Sequence, residues 1–222
     1  MAIELKSTRE LAKANGVKAL VYGLSGSGKT TLIRTLPSPV ILSAESGLLS
    51  LGGEDLPVIE ITSMAELQEA YSWCAGSTEA AGFESIALDS ISEIAEVILT
   101  GEKKTAKDPR QAYGALADQM TEMVKAFRDL PGRNVYFSAK AEKSDVDGKI
   151  MYAPGAPGTK VSQMLPYFFD LCLALRIERS DDGVMRALQT QSDGAWQAKD
   201  RSGKLEPWEG PDMGAIIRKI TT

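Results

Sequence analysis

The chain has 222 residues, enough for one α/β domain (residues 1–222) whose core needs no disulfide or metal staples. Hydrophobic residues make up 43% and charged residues 25%, which excludes a disordered chain. The net charge of −5 argues mildly against a dedicated nucleic-acid binder but leaves room for local basic loops, and the absence of histidine excludes histidine triads and histidine metal sites.

Ser7-Thr8-Arg9-Glu10 has capping-box spacing and opens a short helix expected to end near Gly16. Val17 to Tyr22 is an apolar run read as a buried strand. It leads into Gly23-Leu24-Ser25-Gly26-Ser27-Gly28-Lys29-Thr30-Thr31, which fits the phosphate-binding pattern G-x-x-x-x-G-K-[ST]. Gly23, Gly26 and Gly28 let the backbone take positive φ and approach a polyphosphate closely. The N–H groups of the loop and of the first helical turn then point at anionic oxygens. Lys29 reaches the β- and γ-phosphates in such a loop, and the Thr30 hydroxyl holds Mg²⁺. A helix is expected from Lys29 to Leu36, stopped by Pro37.

Further strands are expected at Val40–Ala44, Val58–Ile61, Ser85–Asp89 and Asn134–Lys140. Helices are expected from Ser63 to about Ala75, with Leu67, Ala70, Tyr71 and Cys74 on one face, from Ser90 to about Leu99, and from about Arg110 to Leu130. Gly101 to Pro109 is read as a polar, basic loop. Residues 141–158 are read as irregular, with a hairpin turn at Asp147-Gly148 and a mobile Gly/Pro-rich loop. Thr159 caps a short helix ending at Pro166. Three β-like runs follow, at Leu171–Glu178, Val184–Thr190 and Ala195–Ala198, with Asp182-Gly183 turning between the first two. Met213–Ile220 is a terminal helix. Strands alternating with helices imply a mainly parallel sheet flanked by helices, extended at one edge by antiparallel strands.

Several charged residues fall where such a loop needs them. Asp89 ends an apolar strand, where a carboxylate on the Mg²⁺ side is required; the alternative is a helix N-cap. Glu45 follows the strand Val40–Ala44 and faces the same carboxyl-end crevice, where it can orient and deprotonate water; the alternative is a solvated loop residue. Lys140 ends the fifth strand at the same rim, as a γ-phosphate sensor or an ordinary exposed lysine. Lys199 and Arg201, two apart on an extended edge, point to one side and can act together on a neighbouring subunit's phosphate, or else form a charged turn.

The order of these pieces resembles the RecA-type ATPase core, and within it the small phage RecA-like single-strand annealing proteins of the Sak group. The resemblance covers nearly the whole chain. It implies ATP and Mg²⁺ as ligands, with Lys29 and Thr30 on the phosphates and metal, Glu45 activating water and Asp89 on the metal side. It makes Lys140 the sensor and residues 141–158 a disordered DNA-binding loop, and it has Lys199 and Arg201 acting across a subunit interface. Lys140 stands where recombinases of this type usually carry glutamine. The implied partners are single-stranded DNA, further copies of the chain in a ring or filament, and a single-strand-binding protein. No apolar run reaches the roughly 18 residues that span a bilayer, and the N-terminus lacks a signal-peptide pattern, so a cytoplasmic setting is expected (the host cytoplasm for a phage protein). Cys74 and Cys172 lack metal-type spacing and are read as two reduced thiols. Two other functions compete: a monomeric kinase acting on a small molecule, and an assembly module that ATP locks with negligible turnover.

Overall fold

The computed structural model describes residues 5, 7, 10, 15–45, 47–146, 148–180 and 183–222. The strand β1 (Lys18–Gly23) lies between β5 (Asn134–Val146) and β7 (Leu171–Ser180), parallel to both, in registers that pair Lys18 with Val135 and Ala19 with Leu171. Beyond β5 the parallel part continues through β4 (Ser85–Asp89), β2 (Pro39–Ser43) and β3 (Val58–Glu60). Beyond β7 come antiparallel β8 (Gly183–Gln189) and β10 (Trp208–Glu209), while β9 (Lys199–Asp200) pairs antiparallel with the start of β7. A last strand, β6 (Lys149–Gly155), folds back antiparallel on the far half of β5. The expected mainly parallel sheet with antiparallel edge strands is therefore present.

Alternation along β1 divides the molecule into two cores, because successive side chains leave a strand on opposite faces. Leu20 and Tyr22 pack into the larger core, beneath α2 (Met64–Gly76), α3 (Ile91–Thr105), α4 (Pro109–Arg128) and α5 (Thr159–Phe168). Ala19 and Val21 face the smaller core, under α1 (Lys29–Leu32) and α6 (Met213–Thr221). Both cysteines are buried free thiols. Among the described residues no helix is long and apolar enough to cross a membrane.

Several expectations need correction. The helix after the phosphate loop is α-helical only over Lys29–Leu32 and tightens into a 3₁₀ turn at Ile33–Thr35. Thr35 explains the tightening: its hydroxyl donates to Leu32 O at 2.7 Å and accepts from Met213 N at 2.9 Å, tying this turn to α6. The basic loop expected at Gly101–Pro109 is mostly helix. Helix α3 continues to Thr105 because nothing before Pro109 breaks it, and Lys103 and Lys104 suit the negative end of its dipole. Gln119 of α4 also donates to Glu102 at 2.6 Å, supporting the added turn.

Residues 141–158 are not an irregular loop. Most of that stretch is an antiparallel ribbon of β5 and β6, paired from Lys140↔Gly155 to Val146↔Lys149. The turn falls where Asp147-Gly148 predicts it: Gly148 has φ 77° and donates its N–H to Asp145 at 2.9 Å, while Asp147 lies outside the described residues. The run Ala195–Ala198 forms one bridge, Trp196 to Tyr152, instead of a strand. Its backbone grips the free edge of β6, with Tyr152 N on Ala195 O at 2.7 Å and Gln197 N on Tyr152 O at 2.9 Å. Thr159 is the first residue of α5 and Gly158 its N-cap, so Thr159 does not cap; the helix also passes Pro166 to end at Phe168. Ser7 and Glu10 exchange both capping-box hydrogen bonds, but the helix expected after them lies largely outside the described residues, as does Asp182 of the second turn.

Candidate functional site

The site forms where β1 ends. Gly23 must lack a side chain, since a Cβ there would stand 2.8 Å from Leu175 O and 2.7 Å from the Ser27 hydroxyl. The chain turns over this point and enters α1 through Gly28, whose φ of 103° strains any residue with a side chain. Lys29 folds back across the loop and donates to Gly23 O at 3.0 Å and Leu24 O at 3.2 Å. Tyr136 of β5 donates to Lys29 O at 2.8 Å and fixes the start of the helix from below. The Ser27 hydroxyl is buried with no hydrogen-bond partner among the described residues.

Asp89 ends β4 and is 1% exposed. Its Oδ2 accepts from the Thr30 hydroxyl at 2.7 Å, and its Oδ1 accepts from the Ser138 hydroxyl of β5. Burial pushes the Asp89 carboxyl above its ordinary range; the Ser138 and Thr30 hydroxyls pull it back, as does Lys29, and the Glu45 charge pushes it further up. Burial also depresses Lys29, which Asp89 and Glu45 hold up while Lys140 opposes them. The N-cap alternative for Asp89 does not hold, because the cap of α3 is Ser90, whose hydroxyl accepts from Glu93 N at 3.3 Å. Glu45 is half-buried in the same cleft. The chain leaving β2 is steered there by two bonds, Ala44 N to Asp89 O at 2.8 Å and Ser43 hydroxyl to Glu45 O at 2.7 Å.

Gly23, Lys29, Thr30, Glu45 and Asp89 line a cleft of about 920 Å³ that also receives Lys140 and Ala141. Lys140 sits at its lip: its backbone N–H is anchored on the Ser92 hydroxyl at 3.0 Å and its ammonium is paired with Glu93, which raises its pKa. Lys199 and Arg201 are not brought to this cleft. They lie at the opposite, amino end of the sheet, where Lys199 donates to Pro166 O and Arg201 to Asp170 at 3.1 Å. Burial, then the adjacent Arg201, depresses the Lys199 ammonium.

Sequence reasoning missed two participants. Ser138 was legible in principle, as the one serine inside the buried run Val135–Ala139. Arg186 was not, because no local pattern joins β8 to a loop 159 residues earlier; it donates from Nε to Ser27 O at 3.1 Å.

The residues suit a nucleoside triphosphate with a divalent cation. A lysine satisfied only by loop carbonyls and a hydroxyl–carboxylate pair, all lining the cleft, are the donor and ligand types that a phosphate and a metal take. Residues 15–202 match the family described as AAA domain. The chain belongs to that family. This AAA domain chain also matches a KaiC-like protein from the hyperthermophilic archaeon Pyrococcus horikoshii at 15% identity and TM-score 0.44, over 78% of this chain and 77% of the other. No curated protein matches it.

Proposed function

We propose that this P-loop protein is a Mg²⁺-dependent, RecA-like ATPase that assembles into a ring or filament, binds single-stranded DNA and promotes annealing of the phage type. The observation that carries the ATPase reading is the Ser138–Asp89–Thr30 hydrogen-bond chain beneath a phosphate loop. In this reading Lys29 leaves the loop carbonyls for the β- and γ-phosphate oxygens, and Thr30 and Asp89 hold the cation. Mg²⁺, when bound, neutralises charge on the phosphate oxygens. Glu45 orients a water molecule and takes its proton, while Asp89, engaged by the Thr30 and Ser138 hydroxyls, serves the metal side.

Support for DNA comes from the β5–β6 ribbon, which springs from the lip of the cleft at Lys140. Its described acids are engaged internally, Glu142 by the Ser162 hydroxyl at 3.0 Å and Asp145 by Gly148 N at 2.9 Å. Lys143 and Lys149 are exposed and bond to no described side chain, which leaves two cations for a phosphate backbone. Lys199 and Arg201, remote from their own loop, act on the nucleotide of a neighbouring subunit. Titrating ATP hydrolysis with and without single-stranded DNA tests the reading. A DNA-dependent rate supports it; DNA-independent phosphate transfer to a small molecule favours the kinase, and binding without turnover favours the assembly module. Mixing Arg201→Ala with Lys29→Ala subunits should restore part of the activity at shared interfaces, and no recovery in proven co-assemblies removes the interfacial role.

A further inference from the structure

Leu188 of β8 is fully buried in the smaller core, on the α1 side of the sheet. Two residues earlier on the same face stands Arg186, beyond the end of that core, where alternation carries its side chain over the phosphate loop. Its Nε donates to Ser27 O at 3.1 Å, and a Cβ placed on Gly28 would stand 3.6 Å from the same nitrogen. Neither terminal guanidinium nitrogen makes a hydrogen bond or ion pair with a described residue. Arg186 lines the same cleft as Lys29, Thr30 and Asp89.

We propose that Arg186 is a phosphate-binding residue of the nucleotide site, supplied by the same chain that supplies the loop. The inference rests on the nucleotide reading above but goes beyond it, since the cations expected from the sequence were Lys29, Lys140 and an interfacial pair. The chemistry is that of a planar fork. One nitrogen is committed to the loop backbone, which fixes the plane, and the two terminal nitrogens face a polyphosphate with parallel donors. The ribbon β7–β8 therefore holds the loop and its ligand at once. A lysine at this position would offer charge without the fork, and a glutamine would offer a donor for Ser27 O without the charge.

Equilibrium binding of ATP and of ADP, each with Mg²⁺, to the full chain tests this in Arg186→Gln, Arg186→Lys, Arg186→Ala and Lys29→Ala. A lost charge-assisted contact is expected to weaken ATP binding about 10- to 100-fold in Arg186→Gln and Arg186→Ala, with partial recovery in Arg186→Lys. Wild-type affinity in Arg186→Gln would overturn the proposal, because a residue that merely braces Ser27 is replaced by glutamine. If Arg186→Ala does not fold, as a lost thermal transition shows, the glutamine and lysine variants decide by the same criteria. Wild-type affinity in every variant, Lys29→Ala included, overturns the nucleotide reading itself. Wild-type affinity in the three Arg186 variants with loss in Lys29→Ala overturns only the role of Arg186.

Discussion

At the amino end of the sheet Lys18 is 5% exposed, and its ammonium rests on Arg133 O at 2.6 Å and Leu130 O at 3.2 Å. Beside it Lys199 donates to Pro166 O and Arg201 to Asp170. At the carboxyl end, a few residues along the same strand, Lys29 is held only by carbonyls of the loop that it would leave for a phosphate. Asp89 is buried against its own preference for water, and the Ser27 hydroxyl has no partner. Both ends bury charged groups. The amino end matches each to a protein acceptor and so fixes the fold, whereas the carboxyl end leaves interactions for a ligand to complete. A buried charge alone does not mark a site; incomplete pairing in a cleft does.

The largest expected effect lies at the carboxyl end. Glu45→Gln should keep ATP binding while hydrolysis falls about 10²–10⁴-fold, the usual size of a general-base contribution. A normal hydrolysis rate in that variant would move the base elsewhere. Lys29→Ala should come next, weakening ATP binding by about 1.5–3 kcal/mol, the range for a charged hydrogen bond. Its thermal stability should stay near the wild type, since the lost partners are loop carbonyls at the cleft surface. If stability falls and binding does not, Lys29 belongs with the satisfied lysines at the other end.

How far the sequence carried the two ends also differs. The phosphate loop was legible because its spacing is fixed by local backbone geometry, and Asp89 and Glu45 because strand ends in a parallel sheet converge on one crevice. Lys199 and Arg201 carried no local signal for their partners: Asp170 lies 31 residues and Pro166 33 residues away along the chain. Composition misled at residues 141–158, where Gly and Pro suggested irregularity. Pairing with β5, and the grip of Ala195 and Gln197 on β6, made a ribbon instead. The helix turn at Gly101–Thr105 was lost for a similar reason, since its support comes from Gln119 on the next helix.

The amino end yields a pH prediction of smaller size. Burial depresses Lys18 from 10.5 to about 8, with Asp170 and Asp129 opposing the shift. Between pH about 8 and 10.5 the unfolded chain therefore holds the proton that the folded chain has released. The Lys18 contribution to stability must then rise with pH across that window. Chemical denaturation of the wild type and Lys18→Met isolates the term from other titrations. The stability of the wild type relative to the variant should be greater at the upper edge of the window than at neutral pH. A constant difference would mean that Lys18 keeps its ordinary affinity for protons in the fold.

The smallest effect separates the two ends most sharply. The Arg201–Asp170 pair is at least two-fifths exposed on each side chain, so water and salt screen it. Arg201→Ala should lower the stability of the isolated chain by only about 0.2–1 kcal/mol, and less in high salt. Asp170 has further duties, since its carboxylate also accepts from Lys18 N at 3.3 Å and its carbonyl from Arg201 N at 3.0 Å. Asp170→Ala should therefore cost more than Arg201→Ala, because it also leaves the buried start of β1 without an acceptor. Double substitution then tells whether the pair matters to the fold as a pair. A coupling energy near zero would leave Arg201 free to serve a neighbouring subunit at little cost to its own chain. A coupling well above that range, persisting in high salt, would make Arg201 a structural residue of the amino end and count against its interfacial role.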